Sequence, residues 1–183
     1  MTISIVRNAL LVESPAGQER YAFKTDAEAR GRKLFVDEAL SWIGTPFVNC
    51  GDIKGPGGAV DCAMLMTRCA VDTGLRAPFD PRPYAPQWHM HRDEELFVQF
   101  LTDQLGAQEI AKPRVGDIAV WQFGKTFSHG GIVINSAEVV HAYWQNRMVI
   151  RSRRDESLLS KTDIFGTTKP RPVRFFDLWS AKP

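Results

Sequence analysis

Three cysteines and four histidines hold most of the chemistry this chain can offer, and their settings differ sharply. Cys62 follows the glycine-rich turn Gly55-Pro56-Gly57-Gly58 and stands directly after Asp61, an acceptable helix N-cap, where an apolar helical pattern begins. A cysteine in the first turn of a helix lies at the positive end of the macrodipole, among backbone N–H groups without intrahelical partners, and both favour a thiolate. Cys69, two turns on and in phase with Leu65 and Met66, reads instead as a small buried hydrophobe. Cys50 belongs to the loop that approaches the same helix start, where it would line a cleft.

Two of the histidines fall in a strand-patterned region. If Asn135-Ser136-Ala137 form a three-residue hairpin loop, Ile134 pairs with Glu138 and Gly131 with His141. His129 then shares a face with His141 as its diagonal neighbour, within reach of a ring-to-ring hydrogen bond. A two-residue loop would put the rings on opposite faces, so the register decides between a histidine pair and two satisfied core residues. His89 and His91 sit two apart ahead of a helical pattern, but no thiol or carboxylate near them has ligand spacing. A surface or capping role fits them better than a metal.

The elements that must place these groups follow in order. An apolar patch, Ala9-Leu10-Leu11-Val12, and the turn Ser14-Pro15-Ala16-Gly17 make residues 1–24 a strand-like arm. Thr25-Asp26-Ala27-Glu28 has capping-box spacing, and the apolar residues after it predict a helix over 26–43, stopped by Gly44 and Pro46. A loop rich in glycine then leads to the helix of Cys62, which ends near Gly74. A proline-rich extended stretch over 77–86 and a helix over Asp93 to Leu105 come next. From Lys112 the period becomes that of strands: Val115–Phe123, Gly130–Ile134, Val139–Tyr143 and Met148–Arg151. Helices first and an antiparallel meander second predict an α+β fold, with helices packed on one face of a small antiparallel sheet.

Taken together, these segments are recognisable. Trp42-Ile43-Gly44-Thr45-Pro46-Phe47, Asp61-Cys62, Val115-Gly116-Asp117-Ile118, Ser128-His129-Gly130-Gly131-Ile132-Val133 and Val140-His141-Ala142 resemble the NlpC-type murein endopeptidases, cysteine peptidases with a papain-like core. Tyr84-Ala85-Pro86 and the run from Trp88 to Glu95 resemble the phage-tail branch of that family. The likeness spans about residues 28–152. It implies Cys62 as nucleophile, His129 as general base and acid, and His141 as the polar residue that orients His129. It also implies a peptidoglycan peptide as substrate, cleaved after D-glutamate toward the diamino acid, and a tail-tip or baseplate hub protein as partner.

Each of those roles is one the chemistry would require. A thiol beside an imidazole attacks an amide carbonyl to give a thioester, which water then hydrolyses. The oxyanion would lie over the Cys62 backbone N–H. The chain departs from the family in having Ala63-Met64 where a Ser-Gly pair is common and Asn49 where a tyrosine or histidine is common. Asn49 is open between an oxyanion or thiol contact and a plain turn asparagine. Asp61 is open between a cap and a contact for the free amine of the substrate. Asp117 reads as fixing the turn into its strand, and Trp42, Phe47, Trp121 and Phe123 as core aromatics.

Bulk properties narrow the field. With 183 residues and 44% hydrophobic content the chain suits one domain with a real core. A net charge of +2, with no basic run interleaved with aromatics, argues against nucleic acid. The spacing of Cys50, Cys62 and Cys69 fits neither a disulfide framework nor a structural metal, so reduced thiols are expected, and neither a metal nor a cofactor. No signal peptide and no membrane span are expected. The resulting division is an arm (1–24), a peptidase domain (25–152) and a basic extension (153–183). Phe175-Phe176-Asp177-Leu178-Trp179 in that extension should pack on the domain or on a partner.

Overall fold

The computed structural model describes residues 1–84, 94–155, 160–162 and 166–180. The amino-terminal segment forms β1 (Thr2–Val6), β2 (Ala9–Ser14) and β3 (Gly17–Ala22), an antiparallel three-stranded sheet. Its inward residues Ile3, Leu10 and Val12, with Phe23, join the main core beside α1 (Asp26–Ser41). The Thr25 hydroxyl accepts the Glu28 N–H at 3.1 Å, the cap expected from the sequence, and the helix stops at Ser41, two residues before the predicted end. A two-stranded ribbon, β4 (Asp52–Ile53) and β5 (Ala59–Val60), leads into α2 (Cys62–Asp72).

The predicted helix from Asp93 is a different object. Asp93 lies outside the described residues, as do His89, His91 and most of the Trp88–Glu95 run; the chain then makes one α turn, α3 (Leu96–Gln99), and widens into a π-turn over Phe100–Gln104. Phe97, Phe100, Leu101 and Leu105 are all buried against the core, at the spacing of one helix face.

The main sheet has six antiparallel strands. They are β6 (Gln108–Ile110), β7 (Ile118–Phe123), β8 (Thr126–Val133), β9 (Glu138–Tyr143), β10 (Met148–Arg153) and, beyond a small ribbon of β11 (Ser160–Thr162) and β12 (Thr168–Pro170), β13 (Val173–Asp177). Their order is β10-β9-β8-β7-β13-β6, so the carboxy-terminal strand pairs with β7 on one side and β6 on the other. The meander expected from Lys112 onward is present, but β8 starts four residues before the predicted Gly130, through a tight hairpin at Gly124 (φ +64°).

One face of this sheet, with Ile118, Val120, Ile132, Ile134, Val140, Ala142 and Val149, packs on Phe35, Val36, Leu65 and Met66 of the helices. The other carries a smaller cluster of Ala119, Trp121, Val133 and Val139, flanked by Phe123 and Phe175.

A buried arginine locks the layers together. Arg32 of α1 is fully buried; it donates to the Val115 carbonyl at 2.8 Å, to Asp117 at 2.6 Å, to Asp177 of β13 at 3.0 Å and to Glu28 at 3.0 Å. Asp117 also accepts the Arg114 N–H at 2.6 Å, so it does fix the turn into β7, with Gly116 at φ +84° beside the Arg32 stem. Burial pushes the Asp117 carboxyl up to about 6 even with Arg32 working against it.

Candidate active site

Asp61 organises the start of α2. One carboxylate oxygen accepts the Met64 N–H at 2.9 Å, which is N-capping, while the other accepts the Cys50 N–H at 2.7 Å. The Tyr84 hydroxyl donates to both, at 2.8 and 2.7 Å. One buried carboxylate thereby clamps the helix, the loop of Cys50 and the end of the proline-rich stretch. Arg82 reinforces the clamp by donating to the Cys50 carbonyl at 2.8 Å and to Asp52 at 3.0 Å. Cys50, at φ +59°, turns its thiol to the Tyr84 carbonyl at 3.8 Å. Asn49 is exposed on the same turn, and among the described residues its side chain has no hydrogen bond to the other site residues.

With Met64 N–H taken by the cap, the N–H groups of Cys62 and Ala63 are left to act on the Cys62 sulfur, and the N–H of Gly130 joins them. All three favour the thiolate. Burial and the neighbouring Asp61 charge outweigh them and push the thiol up to about 12, so the resting sulfur holds its proton. Cys69 is a buried thiol pushed up by its apolar surroundings, as its helix phase suggested.

The approach of sulfur to strand follows from glycine. Gly130 lies under α2 and α3: a Cβ there would stand 2.3 Å from Met66 Cε and 2.7 Å from Phe97 Cζ. The β8–β9 pairing runs only through Val133↔Val139 and Ile132↔Val140. Gly130 is the next position whose N–H faces β9, and it turns to the sulfur instead.

On the other face the two histidines meet. The Ile134 N–H donates to the Glu138 carbonyl at 3.0 Å, and the Asn135 side-chain oxygen accepts the N–H groups of Ala137 and Glu138 at 2.8 Å each. This closes the three-residue loop and sets the register that makes the rings diagonal neighbours. His129 Nε2 and His141 Nδ1 lie 2.7 Å apart. His141 Nε2 is in turn 2.6 Å from Ser152 Oγ on β10. A β-bulge between Trp121 and Gln122 leaves Ser128 as the extra residue just before His129, re-aiming the strand there.

Aromatic rings enclose His129: His141 at 5.0 Å between centroids, Tyr143 at 5.1 Å, Phe123 at 5.3 Å and Trp121 at 6.2 Å. Such faces favour an imidazolium once it forms. Burial holds His141 down at about 4, so it is neutral near pH 7 and suited to orienting a neighbour without itself charging.

No protein-family model and no curated protein sequence matches the chain. Among solved structures, the peptidoglycan hydrolase RipB from Mycobacterium tuberculosis aligns over 84% of this chain and 67% of its own, with TM-score 0.51 and 17% identity. The likeness is one of fold. Two further solved structures align at lower scores. The NlpC/p60 domain of peptidoglycan hydrolase SagA covers 67% of this chain and 88% of its own, with TM-score 0.44 and 19% identity. The P60 domain of an antigen from M. avium subspecies paratuberculosis covers 78% and 92%, with TM-score 0.48 and 17% identity.

In this fold Cys62, Asp61 and Cys50 gather at one helix start, with the Gly130 N–H linking the sulfur to β8, the strand of His129. Sequence reasoning missed Ser152 as the end of the hydrogen-bond chain and Tyr84 as a partner of Asp61. A signal existed for Ser152: its spacing after the β9–β10 turn places it diagonally from His141, the same relation that joins His141 to His129. Tyr84 carried no comparable signal.

Proposed function

We propose that the protein is a cysteine peptidase that cleaves the peptide stems of bacterial peptidoglycan. The observation that carries this reading is the arrangement of the Cys62 sulfur at a helix start, touched by the backbone N–H of Gly130, the residue after His129 on β8, while the His129 ring meets His141 of β9. His129 Nε2 is engaged by His141, and Nδ1 is proposed as the nitrogen that exchanges a proton with Cys62. In the proposed reaction Cys62 Sγ passes its proton to that nitrogen as it attacks the scissile carbonyl, forming a C–S bond. The oxyanion is met by the Cys62 N–H, a contact of a kind worth about 3 kcal/mol. His129 then gives the proton to the leaving amine as the C–N bond breaks. Water, deprotonated by His129, hydrolyses the thioester and restores the thiol. A thiol held at about 12 is consistent with proton transfer during attack rather than a standing ion pair.

The bond after D-glutamate toward the diamino acid is the proposed target, and the tail tip of a phage or phage-like particle, docked on a hub protein, the proposed setting. Both rest on the sequence resemblance. Asp61, Cys50 and Asn49 are proposed to border the space where substrate enters. No helix among the described residues is long and apolar enough to cross a membrane.

One observation favours a second reading, a tail-tip plug or adaptor without chemistry: at rest Cys62 is a half-buried thiol that holds its proton. Incubation with purified murein and mass analysis of the released fragments tests both. The peptidase reading expects stem peptides from the native chain and none from a folded Cys62→Ala variant. Equal release from the variant would sink it.

A further inference from the structure

The basic extension delivers a cation to the histidine face of the sheet. Arg171 stands between Pro170 and Pro172, in the short step from β12 to β13. Proline fixes its own φ and holds the residue before it extended, so this step has little freedom. The Gln122 N–H donates to the Pro172 carbonyl at 3.0 Å, which pins the step against the end of β7. The guanidinium lies over the Phe123 ring, 3.9 Å from its centroid, and Nη1 donates to the Gln122 carbonyl at 3.2 Å. Phe123 in turn stands 5.3 Å from the His129 ring and 6.2 Å from Tyr143. One half-buried ring therefore separates Arg171 from the histidine pair. Its charge is felt at Tyr143, where it works against the burial that pushes the phenol up.

Other arginines of the extension are neutralised: Arg153 pairs with Asp155 at 2.9 Å and Arg174 with Glu109 at 2.6 Å. Arg171 differs. Among the described residues it makes no ion pair, Nη2 donates to nothing, and Nε is buried without a partner. A buried donor left unmet costs free energy, so stacking on Phe123 does not by itself account for the group. Stacking does hold a guanidinium flat while leaving its charge and its in-plane donors to a ligand, and the fork they form matches the two oxygens of a carboxylate. We propose that Arg171 is a specificity-determining residue that binds a carboxylate of the substrate on the histidine face. A stem peptide joined through the side-chain carboxyl of D-glutamate keeps its α-carboxylate free, a short carbon chain from the scissile carbonyl. Held by Arg171, that carboxylate would leave the carbonyl beside the rings of Phe123 and His129. The inference deepens the peptidase reading and rests on it for the identity of the ligand. Arg171 lies beyond the segment that carries the family resemblance, so this contact belongs to the extension.

The test measures binding by calorimetry to the full chain carrying Cys62→Ala, so that no turnover intrudes. The probes are the tripeptide L-alanyl-γ-D-glutamyl-diaminopimelic acid and the same tripeptide with the α-carboxyl of D-glutamate amidated. The acid should bind about tenfold or more tighter than the amide, the scale of a lost charge-assisted hydrogen bond. Adding Arg171→Gln should abolish that preference by weakening the acid alone, and Arg171→Lys, which keeps the charge without the planar fork, should retain only part of it. No binding of either probe, equal affinity for the two, or a preference that survives Arg171→Gln would overturn the proposal. Should Arg171→Gln not fold, Arg171→Lys decides, and an undiminished preference there overturns the proposal. An Arg171-dependent preference in a protein whose native form releases nothing from murein would refute the peptidase reading alone. Murein release by a native chain that does not distinguish the probes would refute the Arg171 role alone.

Discussion

His129 and His141 face each other across β8 and β9 with Nε2 and Nδ1 2.7 Å apart, although the strands that carry them stop pairing before either residue is reached. Their side chains bridge the gap where the backbone ladder has ended, the same gap in which the Gly130 N–H meets the Cys62 sulfur.

This pairing ranks the two histidines. His129→Ala should lower kcat for murein stem release by about 10²- to 10⁴-fold, the range for loss of a general acid–base group. His141→Ala should cost less, because an unoriented base still collects protons. Steady-state rates at saturating murein peptide check this, and equal or reversed losses would contradict the assignment.

Acid should weaken the fold through His141. Its folded pKa is depressed to about 4 by burial, below the value of a free histidine, so the folded state disfavours its protonation. The stability this gives is fully present above about pH 6.5 and is lost as pH falls toward 4, amounting to about 3 kcal/mol in all. Asp117 acts in the same window with the opposite sign: its pKa is raised to about 6, so its contribution is present at low pH and lost as pH rises through that value. Urea unfolding of the native chain and a His141→Asn variant between pH 7 and pH 4 separates the two, since Asp117 is common to both. The native chain should lose more stability on acidification.

Gly130→Ala should destabilise the protein by about 1–3 kcal/mol, as overpacking of a filled core does. The added methyl meets the flexible end of Met66, which can move, and the ring of Phe97, which is buried and held. Lifting α2 off β8 also lifts Cys62 from the Gly130 N–H. Urea unfolding reads the first effect, and a slower alkylation of Cys62 the second.

Arg32→Met should be more damaging, by about 3–5 kcal/mol, because it leaves the carboxylates of Asp117 and Asp177 buried with their cation gone. Arg32→Lys should not restore the loss. One ammonium cannot reach Val115, Asp117, Asp177 and Glu28 at once as the planar fork does. Equilibrium unfolding of both variants against the native chain checks the pair.

Local chemistry was legible in the sequence. The Thr25 and Asp61 caps, the Asn135 hairpin with its register, the Asp117 turn and the α+β order each depend on residues within a few positions of one another, so neighbouring letters suffice to specify them. That same register brought His129 within reach of His141. What the tertiary structure alone decided involves partners far apart in the chain. The bulge at Ser128, the placing of β13 between β7 and β6, the burial of Arg32 and the Tyr84–Asp61 clamp all arise only when distant segments meet. The resting protonation of Cys62 belongs with them. Position at a helix start favours a thiolate, but burial by the packed sheet and the charge of Asp61 act on the sulfur more strongly, and that balance exists only in three dimensions.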